Sequence, residues 1–281
     1  MSLKRPAPPR RAGRTLSAKD KYGPTIISIS TVVAVTLIIR AVVIRSSQWP
    51  RIKDQFFNLD VIIEVFPKVL HGFGINMAVW IVALVVIAIW ALILAFFRSL
   101  NGPWFTPLKV FSIVYIDLIR GLPSLLLVLL FGFGMPALRI PGLPKSSLFW
   151  GALAMISSYS AYAAEVYRSG IDSVHTGQYL AAKALGLSQV QTLFHCILPQ
   201  AIRNVFPSLL NLAVALQKDV ALLSVLGVRD AVREAQIYTA RTFNYSSLIA
   251  SAALFLVATI PLARLTDYFT KKDRQRRLQG A

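Results

Sequence analysis

The chain has 281 residues and a formal net charge of +18, yet 56% of its residues are hydrophobic and only 15% are charged. A pI near 10.5 is typical of nucleic-acid-binding proteins, but those proteins are polar, with basic residues among solvated ones. Soluble domains contain about 25% charged residues, and a mean hydropathy of +0.60 excludes a disordered chain. The composition therefore predicts an integral membrane protein and no nucleic-acid partner.

Six stretches are long and apolar enough to cross a hydrocarbon core of about 30 Å. Their ranges are 25–44, 73–97, 107–135, 148–167, 199–228 and 246–265. The stretch 73–97 contains no charged residue, whereas 107–135 is interrupted by Gly121-Leu122-Pro123, which we expect to break the helix. The sequence thus predicts an all-α, polytopic membrane protein with about six transmembrane helices.

The first stretch follows basic residues, as the apolar part of a signal peptide does. It is longer than a signal peptide's apolar region, and no small-residue cleavage site follows at residues 45–48. We therefore expect an uncleaved anchor at 25–44. Residues 1–24 form a basic N-tail, which we expect to be a flexible, solvated extension that contacts anionic lipid.

The basic residues predict the orientation. The N-tail carries seven bases and one acid, and the end of the chain carries six bases and two acids from residue 264 onward. Because basic segments stay on the cytoplasmic side, both termini are expected there, as an even number of spans requires. The segment 168–203 is then cytoplasmic, and the loops 45–72, 136–147 and 229–245 face outward.

The cytoplasmic loop between the fourth and fifth spans has an unusual pattern. Thr176 is a candidate N-cap for a short helix that Gly186 would end in a left-handed conformation. Ser188 and Gln191 fit a capping box, which opens a second helix that Pro199 stops or kinks. Two interpretations follow from the pattern: a rigid knob for a cytoplasmic partner, or an interfacial helix on the lipid headgroups.

This loop resembles the EAA signature of permease subunits in ATP-binding-cassette importers. Five residues fall in register with that signature: Ala181, Ala182, Gly186, Leu198 and Pro199. Leu180 stands where the family usually has Glu, and Cys196 stands at an Ile position. The resemblance implies a cytoplasmic coupling helix between the fourth and fifth spans, with Gln178 and Leu180 as further coupling residues.

More narrowly, the chain resembles the polar-amino-acid branch of these permeases. The segments that carry this resemblance are 120–123, 160–171, 184–188, 197–203 and 218–228. The resemblance covers about residues 70–270, which would form the permease domain, between an extra N-terminal helix at 25–44 and a basic cytoplasmic C-tail at 271–281. The sequence differs from the usual pattern of this branch at Leu122, His175-Thr176 and Val220-Ala221.

The resemblance implies a multi-pass permease subunit of the cell inner membrane that translocates a polar amino acid or a related analogue. It also implies several partners besides membrane lipid. These are a separate ATPase docked on the 173–190 loop, a second permease subunit (the same chain or a sister chain) and an extracytoplasmic substrate-binding protein. ATP and Mg²⁺ would be bound by the ATPase, with no cofactor in this chain.

Six charged residues lie within or near the spans, where a charge at mid-membrane costs about 2.5–3.5 kcal/mol without a partner or water: Arg40, Asp117, Arg120, Glu165, Lys218 and Asp219. Glu165 is expected to pair with Lys218 or Arg120. Lys218 and Asp219 are adjacent in sequence and therefore point about 100° apart on a helix. The candidates for a translocation pathway or for interhelical ties are four of these and two polar neighbours: Arg120, Tyr162, Glu165, Gln217, Lys218 and Asp219.

No pattern in the sequence indicates an enzyme. The chain has one cysteine and three histidines, without the spacing of a metal site. It also lacks a Gly-x-x-x-x-Gly-Lys-Ser/Thr phosphate loop, so ATP hydrolysis is expected on another subunit. The alternatives are an ion-gradient-driven secondary transporter or channel, which two interrupted helices would suit, and a membrane scaffold without transport.

Overall fold

The computed structural model describes residues 18–100 and 102–279, which form α-helices and turns without a strand. The helices are α1 Ala18–Ile39, α2 Trp49–Phe56, α3 Leu59–Ser99, α4 Thr106–Gly121, α5 Ser124–Leu129, α6 Ser147–Asp172, α7 Thr176–Ala184, α8 Leu198–Asp219, α9 Ala231–Thr242 and α10 Ser246–Gln279. The all-α prediction is confirmed. Most of the predicted N-tail, residues 1–17, and the last two residues of the C-tail lie outside the described residues.

The chain divides into two compact units, Met1–Asp54 and Gln55–Ala281. In the first unit, α1 continues into a π-helical turn at Arg40–Ile44. Its stretch Thr25–Val42 is long and apolar enough to cross a membrane, and none of its residues is buried. A helix that is apolar on all sides and exposed is typical of contact with lipid. The first predicted span is therefore a helix with the length and apolar surface of a membrane anchor.

Among the described residues, four helical stretches have the length and composition to cross a membrane: Thr25–Val42, Trp49–Ser99, Gln189–Leu226 and Ser246–Asp273. A fifth is the bent pair Pro103–Gly121 and Ser124–Ala137, whose halves meet at 101°. The bend falls at Leu122-Pro123, where the sequence predicts a break.

The remaining predicted span, 148–167, lies within α6. With 26 residues α6 is about 39 Å long, which is sufficient to cross the membrane, but its composition is less apolar than that of the other spans. The reason is its position, because twelve of its residues are buried against other helices of the second unit. Small and polar side chains can face neighbouring helices at a site where lipid would exclude them.

The predicted outward loops are more ordered than the sequence suggested. Residues 59–72 form the first turns of α3, which Asn58 caps by accepting hydrogen bonds from the backbone N–H groups of Asp60 (3.1 Å) and Val61 (3.4 Å). The loop 229–245 contains α9, which Asp230 caps through the N–H of Arg233 at 2.8 Å. At the other end of the chain, α10 continues to Gln279 and includes most of the predicted C-tail.

The core of the second unit lies where α3, α6 and α8 pack together. Gly170 allows α6 and α8 to cross closely, since a Cβ there would lie 2.5 Å from Val205 Cγ1 and 2.8 Å from the carbonyl oxygen of Ala201. Nearer the C-terminal end of α8, the indole N–H of Trp80 on α3 donates a hydrogen bond to the carbonyl of Ala213 at 2.9 Å. These contacts fix α8 between its two neighbours.

Candidate functional site

A row of polar side chains runs along α6, in which Tyr162 lies four residues after Ser158 and three after Tyr159, and Glu165 lies three after Tyr162, so that they share one side of the helix. Its members are Ser158, Tyr159, Tyr162 and Glu165. Ser158 lies 3.0 Å, hydroxyl to hydroxyl, from Ser124 at the start of α5. The row therefore connects the bent pair α4–α5 to the centre of the bundle.

Tyr159 joins this row to the end of α8. Its hydroxyl donates a hydrogen bond to Asp219 Oδ2 at 2.7 Å, and its side chain is buried. The sequence analysis did not select Tyr159, although it lies three residues before Tyr162 and six before Glu165, so helical spacing from these two candidates could have found it. Asp219 is thus held at a fixed position beside α6.

Lys218 points away from Asp219, as their adjacency in sequence predicts. It is exposed, and no described residue accepts a hydrogen bond from its ammonium group. Lys218 and Asp219 are the last residues of α8, and the apolar 3₁₀-helix Val220–Leu226 follows them, so the pair lies within the membrane-length stretch Gln189–Leu226. An exposed charge on such a stretch is costly where it meets lipid.

Arg120 and Tyr162 contact each other across α4 and α6. The guanidinium carbon of Arg120 lies 5.5 Å from the centroid of the Tyr162 ring, within the range of a cation–π interaction. The Arg120 side chain is 40% exposed. These two sequence-predicted candidates therefore form a second partly open polar contact on the row of α6.

Glu165 is the centre of an ion-pair cluster. It pairs with Arg98 at the end of α3, with Arg168 at 3.0 Å on its own helix and with Arg120 at 3.8 Å. Arg168 also pairs with Asp172 at 2.6 Å. Of the two partners predicted for Glu165, Arg120 is present only at the longest distance and Lys218 is not a partner. Sequence reasoning missed Arg98, which lies 67 positions before Glu165 and outside any motif.

Gln217 faces a different part of the bundle. It is 1% exposed, and its side-chain carbonyl accepts a hydrogen bond from the hydroxyl of Thr259 on α10. The structure therefore places Gln217 away from Arg120, Tyr162 and Glu165. Its neighbours in sequence, Lys218 and Asp219, face other directions because successive helical residues are rotated by about 100°.

The predicted coupling loop has a rigid geometry. α7 ends in a Schellman motif, in which Gly186 has φ of +77°, its N–H donates to the carbonyl of Lys183 (2.9 Å) and that of Leu187 donates to Ala182 (3.2 Å). Ser188 and Gln191 form the predicted capping box. The predicted N-cap was wrong by one residue, because His175 precedes the first turn and its Nδ1 accepts from the N–H of Gly177 at 3.1 Å.

Most of the coupling residues suggested by the sequence are on the surface. Gln178, Leu180, Ala181 and Gly186 are exposed, as is Pro199, whereas Ala182 is buried and Leu198 is partly buried. Leu180 is 61% and Leu185 81% exposed. Two exposed leucines on a short, rigidly capped helix form an apolar contact surface, which suits contact with a protein or a membrane surface.

Residues 104–275 match the family model described as binding-protein-dependent transport system inner membrane component. A putative glutamine transport system permease protein of Rickettsia felis is 30% identical over 76% of this chain and 97% of its own length. A probable glutamine ABC transporter permease protein of Bacillus subtilis is 32% identical over 76% of this chain and 97% of its own length.

Two solved structures resemble about three quarters of this chain and extend the comparison to the fold. A crystal structure of an amino acid ABC transporter with histidines is 30% identical, with a TM-score of 0.65 over 75% of this chain and 97% of that chain. The MetNI methionine ABC transporter has a TM-score of 0.58 over 74% of this chain and 94% of that chain, at 13% identity. The second likeness concerns the fold alone.

Proposed function

The chain belongs to the family of binding-protein-dependent transport system inner membrane components, and we propose that it is the membrane permease of an ATP-driven importer for a polar amino acid. Its sequence relatives are named as amino-acid permeases of this kind, and the solved structure at 30% identity is an amino acid transporter. This function is favoured over a gradient-driven transporter or channel, because the solved structure at 30% identity is an ATP-binding-cassette transporter and a 32%-identical relative is named as a permease of such a transporter.

The observation that carries the proposal is the exposed cation Lys218 within the membrane-length stretch Gln189–Leu226. A lysine that faces lipid costs up to about 2.5–3.5 kcal/mol on insertion scales, the value reached at the bilayer centre. The cost disappears if a second permease subunit covers this face and encloses a water-filled path. Arg120 and Tyr162, also partly exposed, would line the same path, which this chain would half enclose.

A zwitterionic substrate requires one anionic and one cationic contact. Lys218 offers its ammonium group to a carboxylate, and Asp219 offers a carboxylate to an ammonium group. Tyr159 occupies only one of the Asp219 oxygens, at 2.7 Å, so the other oxygen can accept from a substrate. This arrangement suits an amino acid better than a simple ion.

The energy for transport would come from a separate ATPase, which would also bind the ATP and Mg²⁺. We infer that it docks on the coupling loop, where exposed Leu180 and Leu185 surround the rigid turn at Gly186. The exposed apolar surface supplies contact area, and the Schellman motif fixes its shape. Closure of the ATPase would then shift the helices between outward-open and inward-open states.

The proposed orientation places both termini and the coupling loop in the cytoplasm of a cell whose inner membrane the chain spans. The basic tails support this orientation through the distribution of Lys and Arg. On the opposite side, α9 and the turn after it would face the extracytoplasmic binding protein that delivers the substrate.

The test is uptake of labelled amino acids by the complete importer in proteoliposomes. K218M keeps the length of the side chain and removes its charge; we expect uptake to fall at least about tenfold, since a hydrogen bond to a charged group contributes about 1.5–3 kcal/mol. K145M removes a lysine from an exposed outer loop and should leave uptake unchanged. Uptake that runs on an ion gradient without ATP, or that K218M does not alter, would contradict the proposal.

A further inference from the structure

A buried asparagine of α3 binds both ends of one segment of the chain. Asn76 is 0% exposed, and its side-chain N–H₂ donates to the carbonyl of Val220 at 3.3 Å and to Asp230 Oδ2 at 3.0 Å. Its side-chain carbonyl accepts from the N–H of Ala231 at 3.1 Å. One side chain thus fixes the start and the end of the segment 220–231, which is 144 or more positions away in sequence.

The segment between these two ends has an irregular backbone. Val220–Leu226 is a 3₁₀-helix of seven residues, followed by Gly227 with φ of +80°. Runs of 3₁₀-helix longer than three or four residues are uncommon and often mark a hinge, because their hydrogen-bond geometry is poorer than that of an α-helix. The segment is therefore held more by its contacts to other helices than by its own hydrogen bonds.

Glycines on three other elements provide the space for this segment. A Cβ at Gly132 would lie 2.3 Å from a methyl carbon of Leu226, and a Cβ at Gly151 would lie 2.5 Å from the same methyl carbon. A Cβ at Gly72 would lie 2.4 Å from the carbonyl carbon of Asp230. Leu226 is 7% exposed. Its side chain fills a space that exists only because residues 132 and 151 are glycines, and any larger residue at either position would occupy that space.

The segment follows Lys218 and Asp219 directly and leads to α9, on the side of the membrane that faces outward in the proposed orientation. It also packs against α3, α5 and α6. A displacement of the segment would therefore change both the access to the charged pair from outside and the position of the pair itself.

We propose that residues 220–230 are the outer closing segment of the translocation path and that Asn76 is the positioning residue that latches this segment shut. The inference rests on the proposed function, since it assigns a closing role to a segment beside the proposed path. Release requires three hydrogen bonds of one side chain to break together, so the latch has two discrete states.

Charged and titratable groups lie around the Asp230 end of the latch, where Lys68, His71, Arg229 and Glu234 line one pocket. Besides Asn76, the Asp230 carboxylate accepts the N–H of Arg233 at 2.8 Å, and burial raises the pKa of Asp230 above its ordinary value. The neighbouring Arg229 is bound by Glu234 at 2.6 Å. The 76–230 contact is consequently a buried amide–carboxylate pair that depends on Asn76 for its donor.

This chemistry suggests a double-mutant cycle with a rescue. N76D removes both donated hydrogen bonds and places a second carboxylate beside Asp230, so it should release the segment. D230N leaves a single side-chain oxygen for two donors and should have an intermediate effect. In N76D/D230N, the amide introduced at 230 donates to the carboxylate introduced at 76, so this pair is restored; the bond to Val220 is lost and a carboxylate oxygen faces the Val220 carbonyl, so the rescue should be large but incomplete.

The readout is the accessibility of a cysteine from outside. In spheroplasts that express the complete importer with C196S, the substitution A221C places one thiol in the segment, and a membrane-impermeant thiol reagent measures its exposure. We expect N76D to label at least about tenfold faster than the parent and the double variant to label within about threefold of the parent. W80F, which removes another hydrogen bond between α3 and α8, should label like the parent.

Labelling of N76D at the parental rate, or equal labelling of the single and double variants, would overturn the latch. Recovery in the double variant would show that the effect of N76D is not a failure to fold. Labelling does not require transport. If the parent imports nothing but the labelling rates follow the expected order, the proposed function fails and the latch stands.

Discussion

The ion-pair cluster around Glu165 gives a stability prediction whose size follows from the geometry. Glu165 is the shared partner of Arg98, Arg120 and Arg168, which belong to α3, α4 and α6. The substitution E165Q keeps the shape of the side chain and removes its charge. Arg168 retains Asp172 at 2.6 Å, and Arg120 loses only a 3.8 Å ion pair and retains the Tyr162 ring. The main loss therefore falls on Arg98, whose ion pair with Glu165 has no replacement among the described residues.

The magnitude depends on how far water reaches the pair. Removing one partner of a buried ion pair costs about 3–5 kcal/mol, whereas exposed pairs contribute about 0–1 kcal/mol. The side chains of Arg98 and Glu165 are 23% and 17% exposed, which is closer to the buried case. We therefore expect E165Q to lower the free energy of unfolding by about 2 kcal/mol.

A double-mutant cycle separates the pair from its surroundings. R98M removes the cation, and E165Q/R98M removes both charges, so the double variant should be more stable than the sum of the single effects by at least about 1 kcal/mol. Unfolding is measured in detergent with a mild denaturant. The control is D267N, whose partner Arg264 is 82% exposed at 4.0 Å; it should change stability by less than about 0.5 kcal/mol. An E165Q effect as small as that of D267N, or additive single effects, would refute the reasoning.

Three further predictions concern single positions. G186V should reduce copurification of the ATPase, because a β-branched side chain at φ of +77° costs about 1–2 kcal/mol. G186N should not, since Asn is also found at this position of the motif. Equal copurification of the two variants would count against a docking role. G170A should destabilise by about 1–3 kcal/mol through its contacts with α8, and G74A, with no atom within 4 Å, should not; thermal unfolding decides between them. Because burial raises the pKa of Asp230, the stability it contributes is full below its unfolded pKa of about 3.9 and is lost as pH rises through the folded pKa. Wild type should therefore gain stability relative to D230N as pH falls from about 7 to 4.5, and a constant difference would contradict this sign.

Local signals in the sequence predicted the local structure. The break at Leu122-Pro123 depends on proline, which cannot donate a backbone hydrogen bond, and the turn at Gly186 depends on a residue that adopts positive φ without strain. The capping box at Ser188 also needs only residues three positions apart. Each of these features is determined within one or two helical turns, and each is present in the structure.

The partners of the polar residues could not be predicted in the same way. Glu165 was expected to meet Lys218 or Arg120, and its strongest contacts are instead Arg98 and Arg168. Nothing in the sequence singles out Asn76, because a single asparagine in an apolar stretch has no local signature. Helical periodicity gives the direction of a side chain within its own helix, whereas its partner depends on how the helices cross.

The position of α8 relates these polar contacts to the proposed mechanism. Its 22 residues span about 33 Å, with the coupling loop and the π-helical turn Thr192–Ile197 before it, the charged pair in its last turn and the segment 220–230 after it. Gly170 and Trp80 hold α8 between α6 and α3, so it can move as a body but has little freedom to bend away from them. A displacement of the coupling loop would therefore move Lys218 and Asp219 only if the π-helical turn passes that displacement on to α8. The rigidity of that turn, as well as the docking contact, then determines how tightly ATP hydrolysis is coupled to transport.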